Sequence, residues 1–291
     1  MVKKLSELYL ETRKQLMKQE EPQSASLITR NLLCHVTGKT QEQLLADMEC
    51  YVGDSQCQEL QKLLDAALAG EPLAYVLNQW DFYGMTLYVD HNVLIPRDDT
   101  CAVTDLALKY ALFLDPAPRI LDLCTGSGCI GLAVASRVTD AKVTLGDISP
   151  EALGVAKKNI SLQKLAGRVK ACSVNALDVP PKFLGTFQMI ISNPPYITKA
   201  EMEELPDSVK NYEPHLALDG GTDGLDFYRA ICENFKHALK PGGYLCFEFG
   251  MGQGNDVCAI LEMNGYTILE RSSDYNDIER AVIARYDRKE A

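Results

Sequence analysis

Apolar and polar positions change rhythm twice along the chain. Over residues 1–78 apolar side chains recur at intervals of three and four. Leu5, Leu8, Tyr9, Thr12 and Leu16 form one stripe; Ala25, Ile28, Leu32 and Leu33 form a second, with Gly38 placed as its C-cap. Thr40, with Gln43 three residues on, reads as a capping box for a short third helix. Cys57 to Leu68 reads as a fourth, stopped by Gly70 and Pro72. A small all-helical domain is therefore expected over residues 1–78. From Tyr75 to Ile95 the texture turns aromatic and β-branched, and Gly84 separates two short alternating runs. That pattern predicts a β-hairpin, and residues 79–95 are assigned as a hairpin linker.

Pro96 and Asp98 mark a helix start that runs to about Phe113. After Pro118 strands and helices alternate. Apolar runs at 120–123, 143–147, 169–174, 187–192 and 244–249 read as strands, and 130–138, 150–165, 225–239 and 253–263 as helices. Two further strands, 266–270 and 280–286, follow with no strong helix between them. Residues 96–291 are therefore expected to form an α/β domain. Its sheet should be doubly wound, seven-stranded and mostly parallel, with an antiparallel strand at the end.

Composition changes this picture mainly by exclusion. A hydrophobic fraction of 46% with 24% charged residues is that of a globular protein. Lys plus Arg number 29 against 40 Asp plus Glu, a formal net charge of -11. Non-specific nucleic-acid binding needs a basic surface that displaces counterions, so direct nucleic-acid binding is not expected. The ten cysteines include no CxxC pair and mostly sit in apolar runs, as buried thiols in a reducing compartment would. The four histidines are scattered, and no metal site is expected. The N-terminal segment is an amphipathic helix of mixed charge without a signal peptide's apolar core, and no apolar run is long enough to span a membrane. The expected location is cytoplasmic.

Candidate chemistry begins at residues 120–131, ILDLCTGSGCIG. Gly126, Gly128 and Gly131 match GxGxxG, and Asp147 follows about twenty residues on, at the end of the second strand. A dinucleotide would fit this spacing, but Asp122 just before the loop would repel its pyrophosphate. S-adenosylmethionine suits the same geometry better. Glycines let the backbone approach it, acidic neighbours tolerate its ammonium and sulfonium cations, and Asp147 can take both ribose hydroxyls. The pattern D-x-x-x-G-x-G after the first strand thus favours a class I methyltransferase over a dehydrogenase.

Residues 192–197, SNPPYI, directly follow the fourth strand, at the carboxyl edge where α/β sheets bind ligands. Pro194 and Pro195 fix the backbone and donate no hydrogen bond. The Asn193 side-chain oxygen and the Pro194 carbonyl can each accept an N–H from a planar –NH2 group, and Tyr196 offers a stacking face. An amide nitrogen is a poor nucleophile because its lone pair is delocalised. Two fixed acceptors align it and favour the charge that develops as it attacks, so catalysis rests on positioning and electrostatics. Asn193, Pro194 and Tyr196 are the candidate catalytic residues, and Asn193, Pro194, Pro195 and Tyr196 the candidate substrate-binding set.

NPPY after a fourth strand is similar to the motif of amino-methyltransferases acting on planar nitrogens. These include adenine-N6 and guanine-N2 enzymes of nucleic acids and the N5-glutamine methyltransferases of peptide-chain release factors. The chain resembles the last family over nearly its whole length. Leu94-Ile95-Pro96-Arg97 with Thr100, the run YEPHLALDGGTDGLDFYR with Glu213-Pro214 and Gly220 to Gly224, and DYNDIER near the end all carry the resemblance. It implies a class I methyltransferase sheet, S-adenosylmethionine as cofactor, and the GGQ-loop glutamine of release factors as substrate. The helical domain, which holds no catalytic cluster, would dock that partner.

The resemblance places Cys124, Thr125, Gly126, Ser127, Gly128, Asp147, Asn175, Ala176 and Asn193 around the cofactor. Cys124 stands where the family usually has Gly, which requires an ordinary backbone angle there. Asn175 stands where an Asp usually meets the adenine amino group, with Asp178 nearby as the alternative, and Ala176 or Leu177 would line the adenine pocket. The competing function is a nucleic-acid amino-methyltransferase acting on adenine N6 or guanine N2. It would share fold, cofactor and NPPY but would need a basic groove that the charge pattern lacks.

Overall fold

The computed structural model describes residues 3–287. The outermost positions of the two expected domains, 1–2 and 288–291, lie outside the described residues. The chain forms two compact units, Met1–Asn78 and Gln79–Ala291.

In the first unit a minimal antiparallel bridge joins β1 (Lys3–Lys4) to β2 (Tyr51–Val52). Around it lie α1 (Leu5–Leu16), α2 (Pro22–Thr37), α3 (Gln41–Ala46), α4 (Asp54–Leu68) and α5 (Leu73–Leu77). Pro22 opens α2 at its first turn and Gly38, at φ 67, closes it. The apolar stripes meet in a core built on Leu5, Leu16, Leu32, Leu33, Leu44 and Leu64. One segment departs from its texture. Residues 73–77 form a helical turn although they read as β-branched and aromatic. Pro72 starts the turn and Asn78, at φ 51, ends it, so Ala74, Tyr75 and Val76 are buried together. Burial overrides local propensity here.

The second unit opens with the hairpin β3 (Trp80–Phe82) and β4 (Met85–Leu87). Tyr83 and Gly84 both have positive φ, 53 and 76, the requirement of a tight two-residue hairpin turn. Phe82, Met85 and Leu87 are buried in the core that also contains α6 (Thr100–Ala111). There follow β5 (Arg119–Leu123), α7 (Cys129–Arg137), β6 (Lys142–Asp147), α8 (Pro150–Leu162), β7 (Val169–Ser173) and β8 (Phe187–Ser192). Two short helices, α9 (Lys199–Glu204) and α10 (Asp207–Lys210), precede α11 (Asp226–Asn234). The chain ends with β9 (Leu239–Glu248), α12 (Gly254–Met263), β10 (Tyr266–Ser273) and β11 (Glu279–Tyr286).

The seven-stranded sheet has the order β10-β11-β9-β8-β5-β6-β7. Pairs from β9 through β7 are parallel, and β11 runs antiparallel to both its neighbours. Alternate strand residues feed two cores. Ile120 and Ile191 join α6, α7 and α8 on one face, while Leu121 and Ile190 join α11 and α12 on the other. The chain steps outward from β5 to β7, then returns to place β8 on the other flank of β5. That reversal opens a crevice at the carboxyl ends of β5 and β8.

The helix expected to run to Leu239 stops at Asn234 and tightens into a 3-10 turn over Phe235–Ala238. Leu239 already pairs with Phe187, and the register jumps to Met189 with Tyr244. Pro241-Gly242-Gly243 is thus a bulge within β9. It works there because proline lacks an N–H for the ladder and Gly242 takes φ 73.

Candidate active site

The loop leaving β5 is built for close approach. Gly126 and Gly128 have φ 52 and 86, and a Cβ on Gly126 would meet nothing within 4 Å, so that face is open to a ligand. Gly131 serves packing instead: a Cβ there would come within 2.3 Å of Leu145 Cδ2 and 2.9 Å of Asp122 Oδ2. Cys124 corrects the expectation of an ordinary backbone angle, because its φ is 59. The sharp exit from β5 imposes that conformation, at a cost of roughly 1–2 kcal/mol for a non-glycine residue. Packing of the Cys124 side chain on the core and the Thr125 N–H bond to the Gly146 carbonyl, 3.1 Å, offset it.

Asp122 does not reach the loop's surface. It is fully buried, and its Oδ2 accepts from Thr125 Oγ1 at 2.6 Å and from Gly131 N at 2.9 Å. It therefore staples the glycine loop to the strand. Asp147, at the end of β6, accepts from Gly126 N at 2.9 Å through Oδ2 and from Ser149 N at 3.0 Å through Oδ1. Each oxygen keeps lone-pair capacity for a further donor. Burial raises the Asp147 pKa above the ordinary carboxylate range, opposed by these backbone bonds.

The crevice holds a cleft of about 300 Å³ whose wall includes Cys124, Gly126, Asp147, Asn175, Ala176 and Asn193. Thr125, Ser127 and Pro195 also line it; Gly128 does not, and instead caps α7. Leu177 lines the cleft while Asp178 stands behind it, accepting from Asn175 Nδ2 at 2.7 Å. Asn175 Oδ1 accepts from Leu177 N at 3.1 Å. Among the described residues no lysine or arginine lines the cleft. Ser127 Oγ is buried without a partner. A single carboxylate, Asp147, with no basic residue beside it, an orphaned hydroxyl and an open glycine face fit a cationic nucleoside ligand such as S-adenosylmethionine.

Asn193 lines that cleft and also a second cavity of about 140 Å³, shared with Pro194, Tyr196 and Glu248. Its Nδ2 lies 3.4 Å from Thr100 Oγ1, a long contact. Tyr196 is held by a close backbone weave. Ile197 N donates to the Leu218 carbonyl at 3.0 Å, Gly220 N donates to the Ile197 carbonyl at 2.8 Å, and Gln253 Nε2 donates to the Tyr196 carbonyl at 3.1 Å. Any Cβ on Gly220 would lie 2.6 Å from Tyr196 Cα, and one on Gly224 2.3 Å from its carbonyl oxygen. The glycines of GGTDG are thus needed for the chain to return across the motif. Glu213, only 4% exposed, pairs with Arg97 and accepts from Ile95 N, tying LIPR to YEP beside the site.

Two residues beside the site are missing from the sequence-derived set: Thr100 at the start of α6 and Glu248 at the end of β9. The signal for Glu248 lies in the run LCFEFG, where a carboxylate ends an apolar strand, much as Asp122 stands one residue before the end of ILDL. Burial pushes the Asp122 carboxyl up to about 7 and that of Glu248 up to about 8. The folded protein therefore holds protons that the unfolded chain releases near pH 4. Stability from these groups is full below that value and is lost as pH rises toward 8. The thermal midpoint should fall between about pH 5 and pH 9, and Glu248→Gln should flatten that slope and stabilise the protein at the alkaline end. A slope unchanged in Glu248→Gln would show that Glu248 ionises normally.

Residues 7–77 match the family model described as the PrmC N-terminal domain, and residues 105–211 match the Methyltransferase small domain. A release factor glutamine methyltransferase of Clostridium acetobutylicum is 37% identical over 253 residues, covering 87% of this chain and 88% of that protein. One of Geobacter sulfurreducens is 35% identical over 263 residues, covering 90% of each. A methyltransferase structure from Pyrococcus furiosus superposes with a TM-score of 0.51 at 18% identity, over 79% of this chain and 98% of that one, and shows the shared fold. The chain belongs to the release factor glutamine methyltransferase family.

Proposed function

We infer that the protein transfers a methyl group from S-adenosylmethionine to the side-chain amide nitrogen of the glutamine in the GGQ loop of release factors. The observation that carries this reading is the position of Asn193. It stands at the junction of the cofactor-sized cleft and a smaller cavity bounded by Pro194 and Tyr196. A side-chain amide entering the smaller cavity meets two acceptors and an aromatic face at the point where the two spaces meet.

Asp147 would hold the ribose hydroxyls, Gly126 and Ser127 would lie along the ligand, and Asn175, Ala176 and Leu177 would border its base. Bound there, S-adenosylmethionine supplies a methyl group on a positively charged sulfur. The protein's own work is positional. Asn193 Oδ1 and the Pro194 carbonyl accept the two N–H bonds of the glutamine amide, which fixes its plane. Pro194 and Pro195 keep that carbonyl in place without offering competing donors. Tyr196, whose phenol burial holds protonated, covers the amide. Because the acceptors are preorganised, they favour positive charge developing on nitrogen without reorganising. The same clamp could take an adenine amine, but a net charge of -11 disfavours the attraction of nucleic acid, and among the described residues no lysine or arginine lines the adjoining cleft.

The first unit would dock the release factor. It has its own core, separate from the two cores of the second unit, and holds none of the candidate site residues. Removing residues 1–78 should leave cofactor affinity, measured by calorimetry, within about threefold, while methylation of an intact release factor falls at least about tenfold, as expected when remote binding energy is lost. Full activity in a folded truncation would reject the docking role.

A further inference from the structure

The clamp works only if Asn193 presents oxygen, not nitrogen, to the substrate. Its carboxamide has nearly the same shape either way round, so neighbours must choose the orientation. Thr100 Oγ1 cannot choose alone, because a hydroxyl both donates and accepts, and at 3.4 Å it holds Nδ2 weakly. A carboxylate can choose, because it only accepts.

Glu248 is that carboxylate. It lies one position beyond the last paired residues of β8 and β9, Ser192 and Phe247, so the parallel register brings it beside Asn193. It is 1% exposed and lines the smaller cavity with Asn193, Pro194 and Tyr196. Its Oε2 is buried with no hydrogen-bond partner. The Thr100 and Asn193 side chains both face the carboxyl and favour its charged form. Its backbone is fixed from both sides, by pairing with Ala281 on β11 and by the Tyr228 hydroxyl donating to its carbonyl at 2.9 Å.

We propose that Glu248 is a positioning residue: its buried carboxylate, together with Thr100, takes the Nδ2 hydrogens of Asn193 and so holds the Asn193 oxygen toward the substrate nitrogen. This rests on the methyl-transfer reading given above and adds to it the residue that sets the clamp's polarity. The surrounding charges leave Glu248 free to titrate. Asp99, just before α6, opposes its ionisation, while Cys101 of α6, Tyr196 and, across the core, Cys129 of α7 face it as neutral groups whose own ionisation its charge would oppose. Tyr228 of α11 also faces it. Arg280 of β11 favours the charged form, but its guanidinium is bonded to Asp99 and Asp274 at 2.9 Å each. Among the described residues no cation forms an ion pair with Glu248. Burial pushes its carboxyl up to about 8, and the clamp should sharpen as the proton leaves. A cation in the adjoining cleft would move that transition downward.

The test is the single-turnover rate of release-factor methylation against pH in wild type, Glu248→Gln and Glu248→Asp, with cofactor affinity measured in each. The wild-type rate should rise along an alkaline limb. Glu248→Gln, which carries a donor as well as an acceptor and cannot fix the flip, should be roughly 10- to 100-fold slower on the plateau and flat with pH. Its cofactor affinity should stay within about threefold, and Glu248→Asp should restore part of the limb. A Glu248→Gln protein with the wild-type rate and the same limb would overturn the proposal. So would a loss that follows cofactor affinity alone. Wild type that never methylates the release factor would overturn the underlying reading, and the inference with it, a result distinguishable from the other two.

Discussion

Asn193→Ala is expected to slow methyl transfer to release-factor glutamine by about 10²–10³ under single-turnover conditions, while cofactor affinity changes little. Asn193 borders both spaces of the site, so truncation removes one of two acceptors where cofactor and substrate would meet. The Pro194 carbonyl remains, held by the proline pair, and one contact cannot fix the plane of an amide. Asn193→Asp is the sharper variant. It keeps the shape and an acceptor but loses the Nδ2 donor that faces Thr100, and it adds charge beside Glu248. It should also be impaired. A near-normal rate in Asn193→Ala, or a loss confined to cofactor binding, would mean that the NPPY segment does not clamp the nitrogen.

Asp147→Ala should weaken S-adenosylmethionine binding by at least about tenfold. Two charge-assisted hydrogen bonds to ribose hydroxyls are each worth roughly 1.5–3 kcal/mol. The substitution also frees Gly126 N and Ser149 N, so the glycine loop loses a tie to β6. Asp147→Asn separates these effects only in part, because its –NH2 must face one of those backbone donors. Calorimetry is the direct measurement. Unchanged affinity, or a preference for a nicotinamide dinucleotide, would remove Asp147 from the cofactor site.

The α/β alternation was readable because parallel strands buried on both faces appear as short, mainly apolar runs, as in Arg119–Leu123 and Phe187–Ser192, with few polar interruptions such as Asp122 and Gln188. The glycine loop and NPPY were readable because each is local: the backbone conformation is written in adjacent residues. Three features were not. The helical turn at Leu73–Leu77 follows burial rather than composition. The start of β9 at Leu239 depends on pairing with Phe187, 52 positions earlier, and no local pattern encodes that bulge. Thr100 and Glu248 reach Asn193 only through the packing of α6 and the register of β8 on β9. Cys124 is a different case. Its position in the loop was evident, but its left-handed angle is imposed by the turn and supported by packing that only the fold reveals.

The identity of the methylated atom decides between a release-factor glutamine and every other substrate. The most direct measurement is to incubate the purified protein with a release factor and isotopically labelled S-adenosylmethionine, digest the product and map the label by tandem mass spectrometry. One labelled methyl is expected on the side-chain amide nitrogen of the GGQ glutamine, absent when Asn193→Ala replaces wild type under matched single-turnover conditions. Label on another residue, or transfer to nucleic acid with the glutamine unmodified, would contradict it.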